Sequence, residues 1–63
     1  MSIEEAVSQA RRELLAQRGV VAVSYRDLVI VVYVEDEETA KRIPRYYKGF
    51  PVEVKVVGRV GLL

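Results

Sequence analysis

A run of seven apolar residues, Leu28 to Val34, restricts the fold of this chain more than any other feature. The run is much shorter than the roughly 20 residues that a helix needs to cross a bilayer, and its β-branched residues favour a strand. Side chains alternate along a strand, so the two faces carry different residues: Leu28, Ile30, Val32 and Val34 on one, and Val29, Val31 and Tyr33 on the other. A strand that is apolar on both faces belongs inside a sheet.

A helix is predicted over residues 3–18. Ser2 and Glu5 have the spacing of a capping box, in which each side chain satisfies a backbone N–H group of the other residue. The following apolar residues recur at helical spacing: Ile3, Val7, Ala10 and Leu14. Gly19 can adopt the left-handed conformation that ends a helix.

Two strands and a second helix follow. Residues 20–24 are mostly β-branched and precede a turn at 25–27, so they form a hairpin with the strand 28–34. The acidic residues 35–38 favour a helix N-terminus capped by Asp36 or Glu35, and Pro44 ends that helix near Ile43. The alternative for these acids is a Mg²⁺ or Ca²⁺ site, but they lack the spaced ligands of a calcium loop.

The last predicted strand covers residues 52–57, and residues 45–50 are assigned to turn or irregular chain. Alternation places Val52, Val54 and Val56 on the buried side of this strand. The residues from Glu35 to Pro51 are enough for the crossover that parallel strands require.

The resulting fold class is α+β, in one domain covering residues 1–63. The element order αββαβ predicts a two-layer sandwich, in which a three-stranded mixed sheet has both helices on one face, as in a truncated ferredoxin-like fold. Two strand orders are open: order 1-2-3 suits the doubly apolar second strand, and order 3-1-2 is the one that a ferredoxin-like fold without one strand would give.

Composition excludes several function classes. The chain has neither Cys nor His, so it lacks disulfides, thiolate nucleophiles, the usual general base near neutral pH and the commonest metal ligands. We therefore predict that it is not an enzyme, and no residue is assigned a catalytic, cofactor-binding or metal-binding role. The net charge of +1 differs from the strongly basic balance of an electrostatic nucleic-acid binder. The acidic N-terminus, without a signal-like apolar region, predicts a cytoplasmic protein, and the lack of Asn and Cys suggests a heat-adapted source.

The first candidate site is the sheet face that the helices leave uncovered. It would expose these apolar residues: Val29, Val31, Tyr33 and Val57. Two copies that pack these faces together would bury the patch and add stability that 63 residues cannot supply alone. The sequence therefore predicts a homodimer, and the alternative is that the apolar tail with Leu62 and Leu63 folds over the same face.

The second candidate site is a segment in which basic and aromatic residues interleave. Its candidate nucleic-acid contacts are Lys41, Arg42, Arg45, Tyr46, Tyr47 and Lys48. Cations neutralise phosphates and rings stack on unpaired bases, as in single-stranded nucleic-acid binding. The alternative, which we favour, is that the aromatic rings close one end of the core while the cations stay solvated.

Three stretches of the sequence carry a resemblance: 19–23 (GVVAV), 30–35 (IVVYVE) and 43–54, with IP followed by GFPVEV. They resemble small bacterial and archaeal αββαβ domains of unknown function, some of which lie near trypsin-like protease domains. The resemblance implies a compact module and carries over no activity, because the catalytic residues of a protease are absent. The predicted function is a self-associating protein-interaction module. The alternatives are a weak single-stranded nucleic-acid binder and an accessory subunit of an enzyme.

Overall fold

Two helices and four strands follow one another in the computed structural model, which describes residues 1–58. Their bounds are α1 Ile3–Leu14, β1 Val20–Arg26, β2 Val29–Val34, α2 Glu37–Arg42, β3 Tyr46–Tyr47 and β4 Phe50–Val56. The apolar tail with Leu62 and Leu63, which is the predicted alternative cover for the open sheet face, lies outside the described residues.

Helix α1 begins as predicted and ends early. Ser2 Oγ accepts from the Glu5 N–H at 3.2 Å, and the Ser2 N–H donates to Glu5 Oε1 at 3.1 Å, which completes the capping box. The helix ends at Leu14 instead of residue 18. Its last predicted turn is replaced by two tight turns, closed by bonds from Gln17 N–H to the Leu14 carbonyl and from Val20 N–H to the Gln17 carbonyl. These turns return the chain to the sheet.

The β1–β2 hairpin is longer than predicted. Tyr25 and Arg26 pair with Ile30 and Val29, so the turn consists of Asp27 and Leu28 alone. Asp27 takes a left-handed φ of 56°, a conformation that Asp tolerates better than most residues. The prediction that Leu28 faces the core is wrong, because it lies in this turn and is 64% exposed.

Strand order in the sheet is β1-β2-β4-β3. Strand β2 is antiparallel to β1 and parallel to β4, and α2 lies in the connection between β2 and β4. The apolar strand β2 is therefore an interior strand, as predicted. The three predicted strands correspond to β1, β2 and β4, so order 1-2-3 is the correct one of the two orders that the sequence left open. The ferredoxin-like order 3-1-2 is wrong.

Strand β3 is the element that the sequence analysis missed, and it raises the strand number from three to four. Tyr46 and Tyr47 pair antiparallel with Pro51 and Phe50 through a turn at Lys48 and Gly49. Both turn residues have positive φ, 53° and 88°, as the common two-residue hairpin turn requires. The usual sequence for that turn is Asn-Gly or Asp-Gly, and Lys-Gly lies within residues 45–50, for which the sequence predicts turn or irregular chain.

Both helices pack on one face of the sheet, as predicted. Ala6, Val7, Ala10 and Leu14 of α1 meet the buried side chains of the sheet, which are Val23, Ile30, Val32 and Val34. Ile43, directly after α2, is buried in the same cluster. Val52 and Val54 pack against this core, but Val56, which was predicted to be buried, is 43% exposed because it lies at the end of β4.

No helix within residues 1–58 has the length and apolar character needed to span a membrane.

Candidate interaction surface

The sheet surface opposite the helices, called the open face below, is defined by the strand register. Three rows of neighbouring residues cross it: Arg26 and Val29; Ser24, Val31 and Glu53; and Ala22, Tyr33 and Lys55. Val57 continues the alternation of Glu53 and Lys55, and its N–H donates to the Val34 carbonyl at 2.8 Å. The predicted self-association residues Val29, Val31, Tyr33 and Val57 therefore share one face.

Val31 differs from the prediction because it is only 5% exposed. It lies outside the core cluster, so the helices do not cover it. Arg26 on β1 and Glu53 on β4 form an ion pair, with Nη2 and Oε1 3.7 Å apart, although β2 runs between their strands. The pair spans β2 on the open face, where Glu53 is the direct neighbour of Val31.

The apolar surface that remains is formed by other members of the open face. Val29 and Tyr33 are half-buried, and Val57 is 45% exposed. Tyr46 adds the largest exposed ring, at 69%. Its strand neighbour Tyr47 packs on the core, so alternation places Tyr46 on the open face beside Pro51. Sequence reasoning missed this position because it had not recognised β3.

The candidate nucleic-acid contacts lie on different surfaces, and some of them have structural roles. Tyr46 and Tyr47 lie on opposite faces, and Tyr47 packs against the core as the alternative interpretation expected. Arg42 Nη2 donates to the Arg18 carbonyl at 3.2 Å and to Thr39 Oγ1 at 3.4 Å. These bonds hold Arg42 against the α1–β1 connection. Lys41, Arg45 and Lys48 are exposed.

Tyr47 is the centre of a small polar cluster. Its hydroxyl donates to Glu13 Oε1 at 2.7 Å, and Lys48 Nζ lies 5.6 Å from the centre of its ring. Burial raises the pKa of the Tyr47 phenol above its ordinary value, and the hydrogen bond to Glu13 and the negative charge of that carboxylate raise it further. The neutral phenol is therefore the form that this site stabilises.

The acidic segment 35–38 begins a helix, as predicted. Asp36 Oδ1 accepts from the Thr39 N–H at 2.8 Å and from Thr39 Oγ1 at 2.7 Å, which caps α2. Across residues 1–58, acidic side chains do not gather in groups of three that could hold a metal ion, and that part of the chain has no detectable pocket.

The outer edge of β1 is covered by side chains of α1. Arg11 Nε donates to the Val23 carbonyl at 3.0 Å, and the Tyr25 hydroxyl lies 3.4 Å from Glu4 Oε2. The register of β1 also shifts between Val20 and Ala22, which forms a bulge at Val21. Bulges and covering side chains are common means of protecting an edge strand from pairing with another chain.

Comparison of the chain with protein-family models, with curated proteins and with solved structures finds no match. The resemblance described above therefore rests on its sequence motifs alone.

Proposed function

We propose that this protein is a self-associating interaction module, in which the open face of one copy packs on the open face of a second copy. One observation carries this proposal: the sheet has helices on one side only, and its other side presents Val29, Tyr33, Tyr46 and Val57 with no covering layer among residues 1–58. Apolar surface of this kind is removed from water by association.

The charges on the open face are compatible with a second copy as the partner. Glu53 is paired within its own chain, with Arg26 at 3.7 Å and with Lys55 at 3.9 Å. Burying the open face therefore leaves the Glu53 carboxylate with counter-charges from its own chain. Small domains also gain most from such a contact, because a chain of 63 residues has little core of its own.

The test is the solution mass of Tyr33→Glu, measured by light scattering after size exclusion. The wild type is expected to have at least the mass of a dimer at low and high salt, because apolar packing does not weaken as salt is added. Tyr33→Glu is expected to have half the mass of the wild type and to keep its circular dichroism. Val31 is unsuitable for this test, because it is buried within a single chain.

Leu28→Glu is the matched control, because Leu28 is an exposed apolar residue in the hairpin turn and does not belong to the residue rows that form the open face. It should leave the mass unchanged. A wild type that is monomeric at every concentration, or a Tyr33→Glu variant that keeps the mass of the wild type, would contradict the proposal.

A second candidate function is weak binding of single-stranded nucleic acid. The exposure of Lys41, Arg45, Lys48 and the Tyr46 ring favours it. Binding through phosphates would weaken steeply as salt increases. A fluorescent oligonucleotide titrated at low ionic strength tests this function. Binding that is reduced by Arg45→Ala would support it, and no binding at low salt would contradict it.

A further inference from the structure

The two edges of the sheet are protected very differently. The β1 edge carries a bulge, and Arg11 occupies its Val23 carbonyl. At the other edge, β3 is only two residues long, and its pairing with β4 stops where the Val52 N–H donates to the Arg45 carbonyl at 2.8 Å. Beyond Val52, no strand within residues 1–58 pairs with the outer side of β4.

The backbone groups of β4 alternate in direction. The Val57 N–H points inward, because it bonds to the Val34 carbonyl of β2, whereas the Val52 N–H points outward to Arg45. Residues two apart on a strand direct their N–H and carbonyl groups to the same side. Val54 and Val56 therefore direct theirs outward, where the described part of the chain supplies no backbone partner.

We propose that this outer edge of β4 pairs antiparallel with the same edge of a second copy, about a two-fold axis at Val56. Such an axis can pass through a hydrogen-bonded pair at an outward-pointing residue, Val54 or Val56, or through a non-hydrogen-bonded pair at Lys55 between them. An axis at Lys55 would place the two lysine side chains opposite each other, which like charges disfavour. An axis at Val54 would place the partner's Val56 beside Val52, a position that Arg45 already occupies. Val56 remains.

The register about Val56 is chemically favourable. Each Val56 lies beside its copy, which covers a side chain that is 43% exposed in the single chain. Lys55 lies opposite Val57 of the other copy, so like charges do not face each other. Val54 lies opposite Gly58, whose φ of 73° ends the extended conformation of the strand.

This contact is separate from the open face. The two-fold axis is perpendicular to the sheet, so the product is a continuous eight-stranded sheet with both open faces on the same side. Two such sheets packed through their open faces would contain four chains. Edge pairing alone, or face packing alone, would give a dimer.

The direct test is hydrogen exchange of the Val56 amide, followed by NMR at increasing concentrations of the wild-type chain. Edge pairing predicts slow exchange at high concentration and faster exchange on dilution, with no change in the amides of Glu53 and Lys55, which bond to β2. The same dependence should persist in Tyr33→Glu, because that variant disrupts only the open face.

Val56→Pro provides the matching mass measurement. Proline removes the outward N–H and leaves the inward bonds of β4 intact, so it is expected to halve the mass measured by light scattering. Val56→Thr keeps the N–H and should keep the mass. Rapid exchange at every concentration, or an unchanged mass in Val56→Pro, would overturn the proposal. So would slow exchange that is independent of concentration and is lost when residues 59–63 are removed, because the tail would then occupy the edge.

Discussion

Gly19 packs directly against the side chain of Thr39, so closely that a Cβ atom at position 19 would overlap the threonine hydroxyl. The Thr39 side chain is buried and bonded to Asp36 at the start of α2. The Gly19 carbonyl accepts from the Glu35 N–H at 2.9 Å. This contact joins the α1–β1 connection to the start of α2, and it needs glycine for both space and conformation.

Gly19→Ala is expected to destabilise the protein by at least about 2 kcal/mol, because it adds a steric overlap to the strain of a positive φ. Gly49→Ala is the matched control. Gly49 has a similar φ, 88° against 95°, but open space where its Cβ would lie, so only conformational strain of about 1 kcal/mol is expected. Urea unfolding of both variants measures the difference, and equal losses would contradict the role of Thr39.

Asp36→Ala is expected to destabilise α2 by about 1 kcal/mol, because it removes the acceptor that caps the helix at Thr39. Asp36→Asn keeps an oxygen at the same position and should retain most of the stability. Thermal unfolding followed by circular dichroism distinguishes the two variants. An Asn variant as unstable as the Ala variant would show that the charge of Asp36, and not its hydrogen bonds, is what matters.

Stability is expected to fall at alkaline pH as Tyr47 ionises. Because the pKa of this phenol is raised in the folded protein, its contribution is fully present below the ordinary tyrosine pKa of about 10 and is lost as pH rises through the higher folded value. Tyr47→Phe should lose about 0.5–1 kcal/mol at neutral pH, through the missing bond to Glu13. Above pH 10 the wild type should lose stability faster than this variant, which urea titrations at several pH values would detect.

Val31→Ala is expected to cost about 1–2.5 kcal/mol, because Val31 is buried within a single chain. Tyr46→Ala, on the same face but exposed, should change stability by less than about 0.5 kcal/mol. Both values should be measured at a concentration where the protein is monomeric. A Val31 variant with wild-type stability there would mean that this side chain is not buried within a single chain.

Arg11→Ala is expected to leave the Val23 carbonyl without its side-chain donor and to expose the β1 edge. We expect a loss of about 1 kcal/mol and faster aggregation on heating, measured by light scattering. Arg12→Ala removes a neighbouring exposed arginine and serves as the control. Equal aggregation of the two variants would indicate that net charge, and not edge protection, controls solubility.

Local patterns in the sequence were sufficient for several elements. The Ser2–Glu5 capping box and the acidic start of α2 depend on residues within one helical turn, so their outcome was predictable. The alternation of β2 and its apolar character on both faces correctly predicted an interior strand. The boundaries of the β1–β2 hairpin were less predictable, because Asp27 and Leu28 do not form a typical turn sequence.

The candidate sites depended on contacts between distant segments. Tyr46 belongs to the open face only because β3 forms a hairpin with β4, and Tyr47 is drawn to the core side by the same pairing. Val31 is buried on a face where an ion pair joins Arg26 and Glu53, from two strands that are far apart in the chain. Capping and side-chain periodicity act over a few residues, so they were enough to predict both helices and the strands β1, β2 and β4, but not β3. Only the tertiary structure decided the strand order, the covered and open parts of each face, and the unequal protection of the two edges, because these depend on which distant segments become neighbours.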